Sequence, residues 1–270
     1  MSDNVRKAAV AGMFYPDDPV ELRTMIDGFL KQVRVVGETP KAIIVPHAGY
    51  QFSGAVAAKA YAQLAPLHDR IRRVVLLGPS HRVPLRGIAA PTSDFFETPL
   101  GNVEVEQNTL AGLQVLPQVG YLDSPHQFEH SLEVHLPFLQ SVFDQFTLVP
   151  LVVGESSPEE VAEVLEALWG GEETLIVISS DLSHYHSYSV ACELDSNTTR
   201  HIENLDYRHI GYEDACGRNP VNGLLYLAER RGLKVTTLDL RNSGDAAGPR
   251  DRVVGYGAYA VTEVPATHVQ

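Results

Sequence analysis

The sequence predicts a single α/β domain over residues 1–270, with a central mixed, mainly parallel sheet flanked by helices. Three observations carry this. Apolar strand-like runs alternate from end to end with stretches whose apolar residues recur at helical spacing. No low-complexity linker or fixed-period repeat divides the chain. Several of the apolar runs also lead straight into a histidine or aspartate. In an open α/β sheet, that is where loops carry side chains into a shared crevice.

The first helix is marked by Asp17 or Asp18 as cap, Pro19 in the first turn, and a stripe of Leu22, Met25, Ile26, Phe29, Leu30 and Val33. A strand at 42–46 follows, then the Gly49 turn and an alanine-rich helix over 54–64. Residues 73–78 form the next strand, ending in a GPSH turn. Pro, Gly and Thr are frequent over 83–105, which reads as a hairpin-like excursion, and 117–129 reads as irregular. A helix over 131–143 must accommodate Pro137 near its first turn or at a kink. Then come a strand at 147–153, a helix at 159–169 capped by Ser156 or Ser157, a strand at 175–180 and a helix at 189–205. Asn219 caps a helix begun by Pro220 and ended at Gly232. Residues 234–240 and 253–264 close the sheet, the latter as an edge or antiparallel strand.

The formal net charge is −13, and no basic cluster exceeds the Arg70–Arg73 region. A nucleic-acid binder needs a basic face, so this class is disfavoured. The apolar runs are too short to span a bilayer, and the MSDNVRK start lacks the apolar core of a signal peptide. A cytoplasmic location without membrane attachment is therefore expected. Cys192 and Cys216 lack zinc-type spacing and read as reduced, semi-buried thiols.

The chemistry is expected at the strand ends. His47 and His81 follow strands and sit in Pro/Gly turns, and Asp245 follows another strand beside Gly244. Two histidines and a carboxylate so placed suit a non-haem iron(II) set; the plainer reading of Asp245 is a turn cap. In SSDLSHYH, Asp181 and His184 are three apart, so one face of a turn would hold both, with the carboxylate orienting a proton-moving imidazole. His130 reads as a pocket-wall residue and His135 as partly buried. No phosphate-binding glycine loop and no G-x-S-x-G nucleophile elbow is present.

Taken together and in order, AGMFYP (11–16), PHAGYQFSG (46–54), GPSH (78–81), TPLG (98–101), EHSLEVHLPF (129–138), SSDLSHY (179–185), NSGD (242–245) and VVGYGAY (253–259) resemble the Memo family. That family is similar in fold to the class III (LigB-type) extradiol dioxygenases. The resemblance implies His47 and His81 as metal ligands and His184 as the acid/base histidine. Human-type members have a cysteine near the third ligand position. Here that stretch reads NSGD, so Asp245 is expected to restore a carboxylate. Phe14 matches an aromatic at the pocket rim.

The resemblance implies either a redox enzyme using Fe(II), or a binding or scaffold protein with a small-molecule or peptide ligand in the same pocket. Radical-SAM and Ammecr-type proteins are the implied protein partners. A zinc hydrolase is a third reading, because two histidines and an aspartate with an open position also suit Zn(II).

Overall fold

The computed structural model describes residues 4–246 and 248–263. Its strands in chain order are β1 (Val5–Arg6), β2 (Ala42–Val45), β3 (Arg73–Pro79), β4 (Ile88–Ala90), β5 (Phe95–Thr98), β6 (Gly101–Glu104), β7 (Val119–Tyr121), β8 (Thr147–Val153), β9 (Thr174–Ser179), β10 (His184–His186), β11 (Lys234–Asn242) and β12 (Val253–Thr262). The large sheet runs β10-β12-β2-β9-β3-β8-β4-β7, with β11 paired to β12 as well. Strands β2, β9, β3 and β8 are parallel neighbours. They are also the most continuously apolar segments, as strands covered on both faces must be. Antiparallel pairing of β4 to β8 and of β12 to β2 makes the sheet mixed.

The excursion between residues 83 and 105 contains the expected hairpin, β5 with β6, which joins β1 in a small separate sheet. Its first strand, β4, enters the main sheet instead. The segment read as irregular over 117–129 holds β7 and a short helix, Ser124–Gln127.

Helix starts follow local chemistry. Asp18 is the cap of helix Pro19–Leu30, accepting from the backbone N–H groups of Val20 and Glu21. Ser157 and Glu160 form a reciprocal capping box on helix Pro158–Ala167. The helix expected over 131–143 is split into His130–Glu133 and Leu136–Val142. Pro137 lacks an N–H and can only stand in a first turn, so the chain restarts its helix there.

One expectation needs correction, and another is narrowed to one of its two alternatives. Asn219 lies inside helix Arg218–Arg231, and its amide donates to the Gly154 carbonyl at 2.7 Å; Gly217 is the residue before the helix. β12 is antiparallel but not an edge, because it lies between β2 and β11. No helix among the described residues is long and apolar enough to cross a membrane.

Candidate metal centre

The carboxyl ends of β2, β9 and β3 lie side by side, with Val45 opposite Ser179 and Leu77 opposite Ile178. The loops bearing His47, Asp181 and His81 therefore leave the sheet as neighbours. They bring the rings of His47 and His81 to 5.1 Å between centroids.

Each imidazole is held through Nδ1. For His47 the partner is Ser179, whose Oγ lies 2.7 Å away. That hydroxyl donates its one proton to the Ser131 carbonyl at 2.6 Å, so it can only accept from the imidazoles around it. His135 Nε2 lies 2.8 Å from the same oxygen, and His135 Nδ1 faces the Tyr61 hydroxyl at 2.9 Å. The network thus assigns a proton to Nδ1 of His47 and leaves its Nε2 lone pair free.

Glu129 does the equivalent for His81. Its Oε1 lies 2.8 Å from His81 Nδ1, and Oε2 accepts the His81 backbone N–H at 2.6 Å. Burial alone would raise the Glu129 pKa. The hydrogen bonds and charge of His81, with the Ser131 N–H, bring it down to about 2 instead. A carboxylate behind a histidine ligand fixes its tautomer and raises its basicity.

The third member of the cluster is Cys216. Its Sγ lies 3.3 Å from His47 Nε2, and one ligand atom from each of His47, His81 and Cys216 lies within 4.8 Å of the others. The turn before helix Arg218–Arg231 delivers it. Gly217 lets that turn press on the end of β9, since a Cβ there would lie 2.4 Å from the Ser179 carbonyl oxygen. Burial, then the nearby Asp181, push the Cys216 thiol well above its usual range. A bound cation reverses that balance by stabilising the thiolate.

Asp181 is buried. Its Oδ1 accepts the His47 backbone N–H at 2.8 Å, and its Oδ2 lies 3.9 Å from His47 Nε2. Burial pushes its pKa up to about 7. The carboxylate therefore faces His47, and the expectation that it orients His184 is corrected. His184 Nδ1 is bonded instead to the Leu182 carbonyl at 2.7 Å. Burial first, and His81 among the nearby groups, lower the His184 pKa.

Asp245 is not in this cluster. Its strand, β11, is separated from β2 by β12, so its end is displaced by two strand spacings, about 9–10 Å. Its exposed carboxylate accepts from the Tyr188 hydroxyl at 2.7 Å and from the Asn242 backbone N–H at 3.0 Å. It closes a turn, and Cys216 stands where the carboxylate was expected. Cys216 carried no recognisable spacing; the one local signal was a Cys–Gly pair directly before a helix start.

His130 and Phe14 form one wall. The His130 ring stacks on His81 at 4.6 Å, meets His47 edge-on at 5.3 Å, and lies 4.8 Å from the Phe14 ring. Its Nδ1 is 3.3 Å from Glu129 Oε1 but out of line for a hydrogen bond, which leaves a buried nitrogen without a partner. Burial brings the His130 pKa down to about 4. On the far side, a cavity of ≈ 640 Å³ is lined by His81, Arg82, Arg86, Tyr212 and Cys216, among others.

Comparison with known proteins agrees with the motif resemblance. Residues 6–260 match the Memo-like protein family. A MEMO1 family protein of Saccharolobus solfataricus is 35% identical, covering 93% of this chain and 97% of its own. One from Metallosphaera sedula is 34% identical over the same shares. Among solved structures, an uncharacterized protein of Escherichia coli K12 superposes with a TM-score of 0.52 at 15% identity, over 82% of this chain and 99% of its own, a likeness of fold alone. With matching motifs in order, a match over most of its length and relatives sharing a third of its residues, the chain belongs to the Memo family.

Proposed function

We propose that this chain is a metal-dependent oxidoreductase that holds one redox-active divalent ion, iron(II) in the first place, on His47, His81 and Cys216. The observation that carries the reading is the convergence of these side chains, with the two imidazoles fixed from behind through Nδ1. The donor set fits such an ion: imidazole and thiolate suit iron, copper and zinc, whereas magnesium and calcium prefer oxygen. The partly buried thiol and the buried Asp181 carboxyl, both with pKa values raised by burial, fit it too, because a cation between them relieves the cost of ionising both.

A redox-active metal supplies electron transfer and oxygen chemistry that side chains lack. The protein supplies orientation and proton handling. His184, held through Nδ1, keeps its Nε2 to take a proton from a substrate hydroxyl and return it later. Asp181 holds the His47 loop through the His47 backbone N–H and stands as a further oxygen donor. Arg82 and Arg86, against the single carboxylate of Glu155, give the adjoining cavity an excess of positive charge in a chain of strongly negative net charge, which favours substrates with anionic oxygen donors.

Anaerobic titration with iron(II), followed by oxygen-uptake measurements on catechols, tests the proposal. Wild type binds one equivalent in the pocket and consumes oxygen; His47→Ala does neither. Absence of binding at micromolar iron, or equal oxygen uptake by His47→Ala, overturns it. The thiolate also favours a zinc reading, since zinc accepts two histidines and a cysteine with an open position. Metal analysis after expression with iron and zinc both supplied separates the two: zinc that is lost in His47→Ala, without oxygen uptake by wild type, supports the hydrolase.

A further inference from the structure

A second cluster of metal-competent side chains lies away from the pocket. Helix Tyr188–Glu203 ends in a turn that leads into the short 3-10 segment Tyr207–His209. His201, Asp206 and His209 meet there, with one ligand atom from each within 4.8 Å of the others. It shares no residue with the His47, His81 and Cys216 cluster.

Its geometry is convergent. The two imidazoles lie nearly parallel, with centroids 5.3 Å apart and planes 19° from each other. Both turn Nδ1 to the same carboxylate: His201 Nδ1 is 3.1 Å from Asp206 Oδ2, and His209 Nδ1 is 2.8 Å from Oδ1. The backbone is shaped to the same end. Leu205 takes a left-handed φ of 58°, rare for a non-glycine residue, and the Asp206 N–H closes on the His201 carbonyl at 2.8 Å. Arg208 turns away, its guanidinium 4.4 Å above the Tyr207 ring, and does not compete for the carboxylate.

We infer that His201, Asp206 and His209 form a surface site for a borderline divalent transition metal, zinc(II) foremost, with solvent completing the coordination. In a tetrahedral zinc site with bonds near 2.0–2.1 Å, neighbouring ligand atoms stand roughly 3.3 Å apart. The two N–O spacings, 3.1 and 2.8 Å, run to the two different oxygens of the one carboxylate and lie within about half an ångström of this value. Two imidazoles select such metals over magnesium or calcium. The metal replaces two N–H···O bonds, each imidazole shifting its proton from Nδ1 to Nε2, and ties the end of the helix to the following turn. A partly exposed set of three ligands makes this a clamp on the fold and not a buried structural core.

Cobalt(II) is a suitable probe, because a cysteine ligand adds an intense sulfur-to-metal band that a site of nitrogen and oxygen lacks. Full-length wild type titrated with cobalt should show a sulfur-free equivalent, which competing zinc displaces. His209 is largely exposed, so His209→Ala folds normally, and Asp206→Asn preserves shape. Disturbing a group that only orients a ligand weakens metal binding about 10–100-fold, so removing a ligand should weaken the sulfur-free equivalent by more than about 100-fold. Any band from Cys216 should remain. A wild-type titration lacking a sulfur-free equivalent overturns the inference, as does unchanged cobalt affinity in both variants.

Discussion

Cys216 Sγ stands 3.3 Å from His47 Nε2 across a sequence separation of 169 residues, on the side of the imidazole left free by Ser179. Cys216→Ser should therefore weaken metal binding in the pocket by more than about 100-fold, beyond what an orienting residue costs. Asp245→Asn should leave it unchanged. Cobalt spectroscopy of both variants decides the matter; loss of binding in Asp245→Asn would restore the carboxylate to the set.

Ser179→Ala removes the acceptor shared by His47 and His135. Two imidazole N–H groups and the Ser131 carbonyl are then stranded in a buried site, each costing about 1–3 kcal/mol where no water enters. Urea unfolding should show the loss of stability. Metal affinity should fall about 10–100-fold, since His47 loses its fixed tautomer. Unchanged affinity would show that Ser179 serves packing alone.

The metal-free protein should lose stability in mild acid. His126, His130 and His135 have pKa values lowered by burial to about 4, about 4 and about 3 from an ordinary 6.5. Below 6.5 the unfolded chain binds protons that the folded chain refuses, so stability falls as pH drops from 6.5 toward 4. Asp181, raised to about 7, and Asp195, also raised by burial, act in the opposite sense, but His47 and His184 are lowered by burial too and add to the histidine side. Denaturant midpoints at pH 7.5, 6 and 5 should fall in that order. Asp181→Asn should steepen the fall by removing one of the opposing groups.

Glu133 organises the segment that brings Phe14 to the pocket. Its buried carboxylate pairs with Arg6 and accepts from the Ala9 and Val10 backbone N–H groups and from the Tyr15 hydroxyl. Glu133→Ala leaves Arg6 buried without its partner, a change that costs about 3–5 kcal/mol. Calorimetry should show this loss, and protease should cleave the first twenty residues sooner than in wild type.

Much of the fold was legible because the parallel strands are uniformly apolar and their helices carry local caps. His47 and His81 were legible for the same reason, each lying directly past a buried strand. Cys216 was not, because it reaches the site from a turn that no strand precedes. Pairing decided the fate of Asp245. The chain shows a strand running into NSGD, but only the sheet order puts β12 between that strand and β2. The tautomers of His47 and His81 depend on Ser179 and Glu129, contacts 132 and 48 residues away in the sequence.

The position of β12 also sets the order in which the molecule can be completed. β12, the last strand among the described residues, pairs with β2 on one side and β11 on the other. Until residues 253–262 are made, β2 presents an open row of backbone donors and acceptors. The nascent chain must keep that gap free while some two hundred residues are added, which makes closure a late, long-range event. A chain truncated before β12 would carry both histidines and the cysteine, yet the strand end that positions His47 would lack its neighbour.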